Sequence, residues 1–357
     1  MNRPPVRVLA VDDSAVARSA YRFLLTPELG FDLVATAPNA DIARRKIEAL
    51  DPDVVVLDIE MPGEDGLSFL QWLMRNRPTP VVVCSVWSSR GAEQTMRAFA
   101  LGAIDVVCKG TPGEAPGWGS DFADTLADAV RAAAGARNKM LFRGGRSGVE
   151  PPVRAAVRRS PVNVPIRRGH CVVIGASTGG TEALATLFAQ MPADFPPTFV
   201  VQHMPPLYTQ SFARRLDTLG DIRVREAVDG AQIGPGEALV APGGKQLRMA
   251  VGHAGPVARI GNDGPVNRHA PSVDVLFLSA VESYHSRVIG VLLTGMGNDG
   301  ARGLLRIRET GGRTVAQDEA TSVVFGMPQE AIKLGAAAAV LPIQAIVPHI
   351  LEALASS

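Results

Sequence analysis

The chain has 357 residues, enough for about two domains, and its 46% hydrophobic and 20% charged content suits a globular protein with full cores. A formal net charge of +1 carries no global basic signal for nucleic acid and no acidic tail. Cys84, Cys108 and Cys171 lie far apart without CxxC spacing, the N-terminal MNRPPVRVLAVDD lacks a signal-peptide h-region, and no apolar run nears the roughly 18 residues that span a bilayer; the expectation is a cytoplasmic protein with reduced thiols, no nucleic-acid partner and no membrane insertion.

In chain order, Val6–Val11 reads as a strand and Arg18–Leu25 as a helix. Leu33–Thr36, Val54–Leu57, Val81–Cys84 and Ile104–Cys108 read as further strands, alternating with helices over Asp41–Leu50, Leu67–Met74, Ala92–Leu101 and Asp121–Ala133. This alternation implies one parallel, doubly wound sheet. From about Asn138 to Arg168 the chain is rich in Gly, Pro and Arg, with Glu150 its one acid, and reads as an interdomain linker or, alternatively, as a basic run for an acidic partner. At Cys171 the alternation restarts. Strands Cys171–Ile174 and Phe199–Gln202 lead to helices Glu182–Gln190 and Gln210–Leu219. The stretch Gly230–Val251, with its PGE and PGG turns, reads as hairpins. Strand Val288–Leu293 leads to helix Ala301–Glu309, Val315 begins another short strand, and a helix closes the sequence.

Asp12-Asp13 ends the first strand and Asp58 the third; Ser85 follows the fourth strand and Lys109 the fifth. In a parallel sheet all five residues share one edge. Three carboxylates gathered there repel one another unless a hard cation joins them, and oxygen ligands suit Mg²⁺. A lysine and a hydroxyl alongside would bind phosphoryl oxygens. The expectation is a phosphoacceptor at Asp58, with Asp12, Asp13 and Asp58 holding the metal; solvated turn acids are the bland alternative.

The stretch VIGASTGGT, residues 173–181, reads two ways. A Walker phosphate loop needs lysine where Thr181 stands, and a dinucleotide loop needs its second glycine where Ser177 stands. What remains is Gly175-Ala176-Ser177-Thr178-Gly179, a G-x-S-x-G turn that lifts a serine hydroxyl beside helix N–H groups. A serine N-cap is the alternative. Ser177 needs a base to act as a nucleophile. His203 closes the strand Thr198–Gln202, and Asp299 lies just beyond Val288–Leu293, so three strand-to-helix junctions bring Ser177, His203 and Asp299 to one rim. That is the geometric demand of a Ser-His-Asp triad. The remaining five histidines lack paired ligand spacing and there is no HExxH, so no zinc is expected.

With VDDS, VVLDIEMPGEDGL, Ser85 and Lys109, residues 1–125 resemble a two-component response-regulator receiver of flavodoxin-like fold. With VIGASTGGTEAL, QHMPPLYTQSFARRL, HAPSVDVLF, LLTGMGNDGARG and AQDEATSVVFGMPQEA, residues 169–357 resemble the chemotaxis protein-glutamate methylesterase, a Rossmann-like α/β domain with an added β-hairpin. Residues 126–168 then hold a helix end and the interdomain linker. The resemblance implies hydrolysis of glutamate γ-methyl esters on chemoreceptor helices with release of methanol, and deamidation of receptor glutamines. It places the triad at Ser177, His203 and Asp299, with Thr178 and Met296 at the oxyanion site and no cofactor for the esterase. It also implies phosphorylation of Asp58 by a chemotaxis histidine kinase with Mg²⁺, Ser85 and Lys109 as receiver switch residues, and a receiver that covers the hydrolase cleft until phosphorylated. Four positions depart from the family pattern: Gly110 follows the lysine where proline is usual, Val106 replaces an aromatic, and Gln246 and Ala270 replace residues that are commonly histidine and arginine. A non-catalytic regulator binding receptor or kinase, and a receiver fused to a nucleotide-dependent enzyme, are the rival readings.

Overall fold

Runs such as Val54-Val55-Val56-Leu57 and Val81-Val82-Val83 are apolar at every position, so the strands they form must be covered on both faces. The computed structural model describes residues 4–61, 65–85, 88–109, 120–144, 169–253 and 255–355. They fall into two compact units, one within residues 1–148 and one within 149–357.

The first unit alternates β1 (Val6–Val11), α1 (Ala15–Leu24), β2 (Phe31–Ala37), α2 (Ala40–Leu50), β3 (Val54–Asp58), α3 (Gly66–Asn76), β4 (Val81–Ser85), α4 (Ser89–Ala100), β5 (Asp105–Cys108) and α5 (Ser120–Gly144). Its five strands are all parallel, in the order β2-β1-β3-β4-β5. Every residue of β3 and β4 is buried. Strand order reverses between β1 and β3, which opens a crevice at their C-terminal ends. Helix α1 starts earlier than Arg18 because the Ser14 hydroxyl caps it, accepting from the Ala17 N–H at 3.3 Å. Helix α5 runs past Ala133 to Gly144, into the segment read as linker; the alanines over 132–136 favour helix and no proline interrupts before Pro151. The rest of that linker, 145–168, and Gly110 lie outside the described residues.

The second unit holds β6 (Cys171–Ala176), α6 (Gly180–Phe188), β7 (Thr198–Gln202), α7 (Tyr208–Asp217), β8 (Arg223–Glu226), β9 (Glu237–Val240), β10 (Gln246–Val251), β11 (Pro256–Gly261), α8 (Val273–Tyr284), β12 (Val288–Leu292), α9 (Ala301–Glu309), β13 (Arg313–Gln317), α10 (Met327–Lys333), β14 (Ala339–Leu341) and α11 (Ile343–Ala355). Its main sheet has seven parallel strands, β14-β13-β12-β6-β7-β9-β8, with β6, β7 and β12 buried throughout. The order reverses between β6 and β12, and the C-terminal ends of these two strands flank the second crevice.

The hairpins expected over Gly230–Val251 form only in part, at Gln246–Val251. Glu237–Val240 is a parallel strand between β7 and β8, and the added hairpin is the antiparallel pair β10–β11, one step further on. The proline-glycine turns at 235–236 and 242–243 mark changes of direction, but the buried Ala238, Leu239 and Val240 belong to the main sheet. Between sheet and hairpin runs α8, whose Leu276, Phe277 and Ala280 are fully buried among Phe199, Val201, Leu247 and Leu304. Gly303 lets α9 approach closely, since a Cβ there would stand 2.6 Å from the Phe277 Cβ. Phe277 is thus the pin between α8, α9 and the sheet. Phe277→Ala is expected to lower stability by about 3–5 kcal/mol, read from equilibrium denaturant unfolding of the full chain; a loss under about 1 kcal/mol would contradict this packing account.

Candidate active site

Ser177 and His203 follow neighbouring strands at the same level. Ala176 and Gln202 are register partners in β6 and β7, and the His203 N–H donates to the Ala176 carbonyl at 3.0 Å. The buried Gln202 side chain ties the two turns together, its Nε2 donating to the carbonyls of Ser177 (2.9 Å) and His203 (3.0 Å). Ser177 is buried, and its N–H donates to the Thr294 carbonyl at 3.0 Å, beyond β12. It is not a helix cap: the N-cap of α6 is Gly179, at φ +77°, and no side chain caps that helix.

The glycines of the serine turn have steric duties. A Cβ on Gly175 would lie 2.2 Å from Val273 Cγ1, and one on Gly179 would lie 2.5 Å from Val323 Cβ. Across the turn, a Cβ on Gly295 would meet the Ser177 Cβ at 2.6 Å. The G-x-S-x-G pattern here secures close packing and a left-handed turn rather than approach to a phosphate.

Asp299 follows β12 in the turn that opens α9, and it is almost wholly buried. Its Oδ2 lies 2.8 Å from His203 Nε2 and accepts from the Val273 N–H at 2.6 Å. Its Oδ1 accepts from Asn267 Nδ2 (2.7 Å), the Ser272 hydroxyl (2.8 Å) and the Asp274 N–H (3.3 Å). Ser272, Val273 and Asp274 are the N-cap and first turn of α8, so the carboxylate caps that helix from another part of the chain and faces the positive end of its dipole. Burial alone would raise the Asp299 pKa; the hydrogen bond and charge of His203, then Asn267 and the Val273 amide, outweigh it and hold the carboxyl well below the usual carboxylate range.

With Nε2–H given to Asp299, the ring's other nitrogen, His203 Nδ1, keeps its lone pair; it is buried and has no hydrogen-bond partner among the described residues. The ring of His269 stacks on His203, centroids 3.7 Å apart and planes 9° from parallel. The His269 pKa is pushed down to about 4, by burial first and by His203 second. His203, His269 and Asp299 offer ligand atoms within 4.8 Å of one another. Lone pairs lying in two parallel ring planes do not converge on one ion, however, so the geometry is that of a stack rather than a coordination shell.

Thr178 is buried, with its carbonyl accepting from the Thr294 hydroxyl at 3.0 Å, and Met296 is half-buried. Among the described residues no backbone oxygen accepts the Met296 N–H. Gln246 is fully buried and clamps the loop ahead of α8: Nε2 donates to the carbonyls of Gly264 (2.9 Å) and His269 (3.0 Å), and Oε1 accepts from the Ser272 N–H at 2.9 Å. Ala270 is half-buried in the same loop. Asn267, Ser272 and His269 are the residues sequence reasoning missed; the HAPSVDVLF stretch was the available signal, but nothing in its spacing says that a loop and helix N-terminus face the carboxylate.

In the first unit, Asp12 and Asp58 are buried and Asp13 is exposed, and one carboxylate oxygen of each lies within 4.8 Å of the other two. Lys109 Nζ is 2.6 Å from both Asp12 Oδ2 and Asp58 Oδ2. Burial would lower the Lys109 pKa, but Asp58 and Asp12 outweigh it and raise it. Burial raises the Asp12 pKa against the pull of Lys109. Tyr21, buried in α1, donates its hydroxyl to Asp12 Oδ2 at 3.2 Å. Ser85 ends β4 fully buried, its carbonyl accepting from the Lys109 N–H at 2.9 Å. Three carboxylates within ligand reach and a hard-oxygen donor set fit Mg²⁺.

The Asp299 arrangement generates a stability expectation. Asp299→Ala removes a buried anion and strands its donors, and is expected to cost about 3–5 kcal/mol at neutral pH, measured by denaturant unfolding of the full chain; a variant as stable as the wild type would refute the capping role.

The sequence matches two family profiles: "CheB methylesterase" over residues 172–350 and "Response regulator receiver domain" over residues 8–114. It is 45% identical to the protein-glutamate methylesterase/protein-glutamine glutaminase 2 of Cupriavidus pinatubonensis, over 100% of this chain and 98% of that protein. It is 47% identical to the corresponding protein of Bordetella avium, over 97% of this chain and 96% of that one. Among solved structures, the catalytic domain of Thermotoga maritima CheB methylesterase matches with a TM-score of 0.50 and 40% identity, covering 53% of this chain and 99% of that one.

Proposed function

The chain belongs to the CheB methylesterase family, and from that premise we propose that Ser177, His203 and Asp299 catalyse its hydrolysis while Asp58 receives the phosphoryl group that controls it. The protein is a protein-glutamate methylesterase and protein-glutamine glutaminase with a receiver at its head. Its substrates are glutamate γ-methyl esters, and glutamines, of chemoreceptors; residues 1–125 are the regulatory domain and 169–357 the catalytic one.

In the forward step Ser177 Oγ attacks the ester carbonyl carbon and His203 Nδ1 takes the hydroxyl proton. The charge that develops on the carbonyl oxygen is met by N–H groups at Thr178 and Met296. The carbon–methoxyl bond breaks, and the proton passes from His203 to the departing oxygen to give methanol. Water then attacks the acyl carbon and loses its proton to His203; the carbon–Ser177 bond breaks, His203 returns that proton to Ser177 Oγ, and glutamate is released. With glutamine the leaving group is ammonia. Asp299 stays ionised throughout, holding the Nε2 proton and balancing the imidazolium. The observation that carries this reading is the buried His203 Nδ1, without a hydrogen-bond partner among the described residues, on a ring fixed through Nε2 by Asp299 and one strand across from Ser177.

In the receiver, the Asp58 carboxylate attacks phosphorus as the bond to the donor, a histidine kinase, breaks. Lys109, already bridging Asp58 and Asp12, is poised to bind a phosphoryl oxygen, and the Ser85 hydroxyl is a second candidate. Mg²⁺, held by Asp12, Asp13 and Asp58, would neutralise phosphoryl charge when bound. The site of action is the cytoplasm; no helix among the described residues is long and apolar enough to cross a membrane.

Ser177→Ala is expected to lower methanol release from a methylated receptor fragment by about 10³-fold or more while circular dichroism is unchanged; turnover near wild type would refute the nucleophile. Asp58→Asn is expected to keep basal release and to lose all stimulation by a small-molecule phosphodonor with Mg²⁺. Normal stimulation of that variant would put the acceptor elsewhere.

A further inference from the structure

The loop ahead of α8 contains a closed two-residue turn. Val266 and His269 exchange both backbone hydrogen bonds, each 2.9 Å, and the residues between them, Asn267 and Arg268, sit at φ +52° and +68°. Two successive left-handed residues make a type I′ turn; asparagine tolerates that region, whereas Arg268 does so at a cost of about 1–2 kcal/mol. Its surroundings hold it in place. Asn267 Nδ2 donates to Asp274 Oδ2 (2.8 Å) as well as to Asp299, and Gln246 grips the His269 carbonyl.

The turn delivers one side chain to Asp299 and one to His203, the two groups proposed to serve Ser177. Asn267 reaches the carboxylate, and His269 lays its ring flat on His203. The ring is itself anchored: His269 Nδ1 lies 2.7 Å from the Asn267 carbonyl, which can only accept, so Nδ1 carries the proton. Burial and the neighbouring His203 push its pKa down to about 4, so the ring is uncharged at neutral pH. An uncharged aromatic face against an imidazole that gains a proton during turnover is an attractive arrangement; a second cation there would be repulsive. The stack also blocks rotation of the His203 ring, which would break the bond to Asp299 and turn Nδ1 away from the serine.

We propose that His269 is a positioning residue for His203: its ring fixes the plane of the base and stabilises the base once protonated. This rests on the reading of His203 as the general base.

Two variants of the full chain separate the stack from the anchor. His269→Asn keeps a donor for the Asn267 carbonyl and deletes the ring; His269→Phe keeps a ring and deletes the donor. If the stack is the role, His269→Asn lowers kcat for methanol release by about 10- to 100-fold with KM within about twofold. Labelling of Ser177 by a fluorophosphonate slows in parallel, and His269→Phe recovers most of both rates. The proposal is overturned if His269→Asn turns over within about twofold of wild type, if KM moves instead of kcat, or if His269→Phe is as slow as His269→Asn. Thermal unfolding of each variant is measured alongside; should His269→Asn unfold early, the rate of the folded His269→Phe variant decides alone. A His203→Gln control isolates the premise: near-normal turnover there would remove the base assignment itself.

Discussion

The second unit depends on a single buried carboxylate. Asp299 accepts from a ring nitrogen, two side chains and two amides, and three of those donors, the Ser272 hydroxyl and the Val273 and Asp274 N–H groups, begin α8. An anion at a helix N-terminus is favourable on its own, and amides left bare in the interior are costly. The same contacts place Val273, which fits only because Gly175 and Gly300 leave it room: a Cβ on either would come within 2.5 Å of Val273. One charge therefore sets where α8 begins, how closely it meets β6, and which way the proposed base faces.

The first unit is organised around the opposite sign. Lys109 is a mostly buried ammonium shared by Asp12 and Asp58, each at 2.6 Å. Buried charges persist when paired and hydrogen-bonded, and the pairing here leaves three carboxylates in reach of one cation. Both units put their acids where strand order reverses, between β1 and β3 and between β6 and β12. Helix connections leave in opposite directions at such a point, so the crevice needs no special sequence to open.

Much of this was readable from residues alone. Strands buried on both faces show as unbroken apolar runs, and β1, β3, β4, β6, β7 and β12 were placed to within about two residues on that signal. The rule that sites gather at strand C-termini drew attention to Ser177, His203, Asp299 and the five receiver residues. The failures have common causes. Helix α8 was missed because eight of its twelve residues are buried, leaving little polar-apolar periodicity to read. Strands β8 and β9 were lost because proline-glycine turns look alike whether they close a hairpin or feed a crossover. Asn267, Ser272 and His269 were missed because they act through contacts 27 to 66 positions away, which no local pattern encodes.

The orientation of the His203 ring has a geometric corollary. Nδ1 is one bond from the ring carbon that bears the side chain, whereas Nε2 is at the far end. A base that works through Nδ1 has a short reach, so its main chain must run beside the nucleophile. Adjacent strands β6 and β7, locked in register and laced by Gln202, satisfy that demand. Evolution could lengthen or replace most loops around this crevice, but moving the imidazole to any of them would require turning the ring end for end and finding Asp299 a new place.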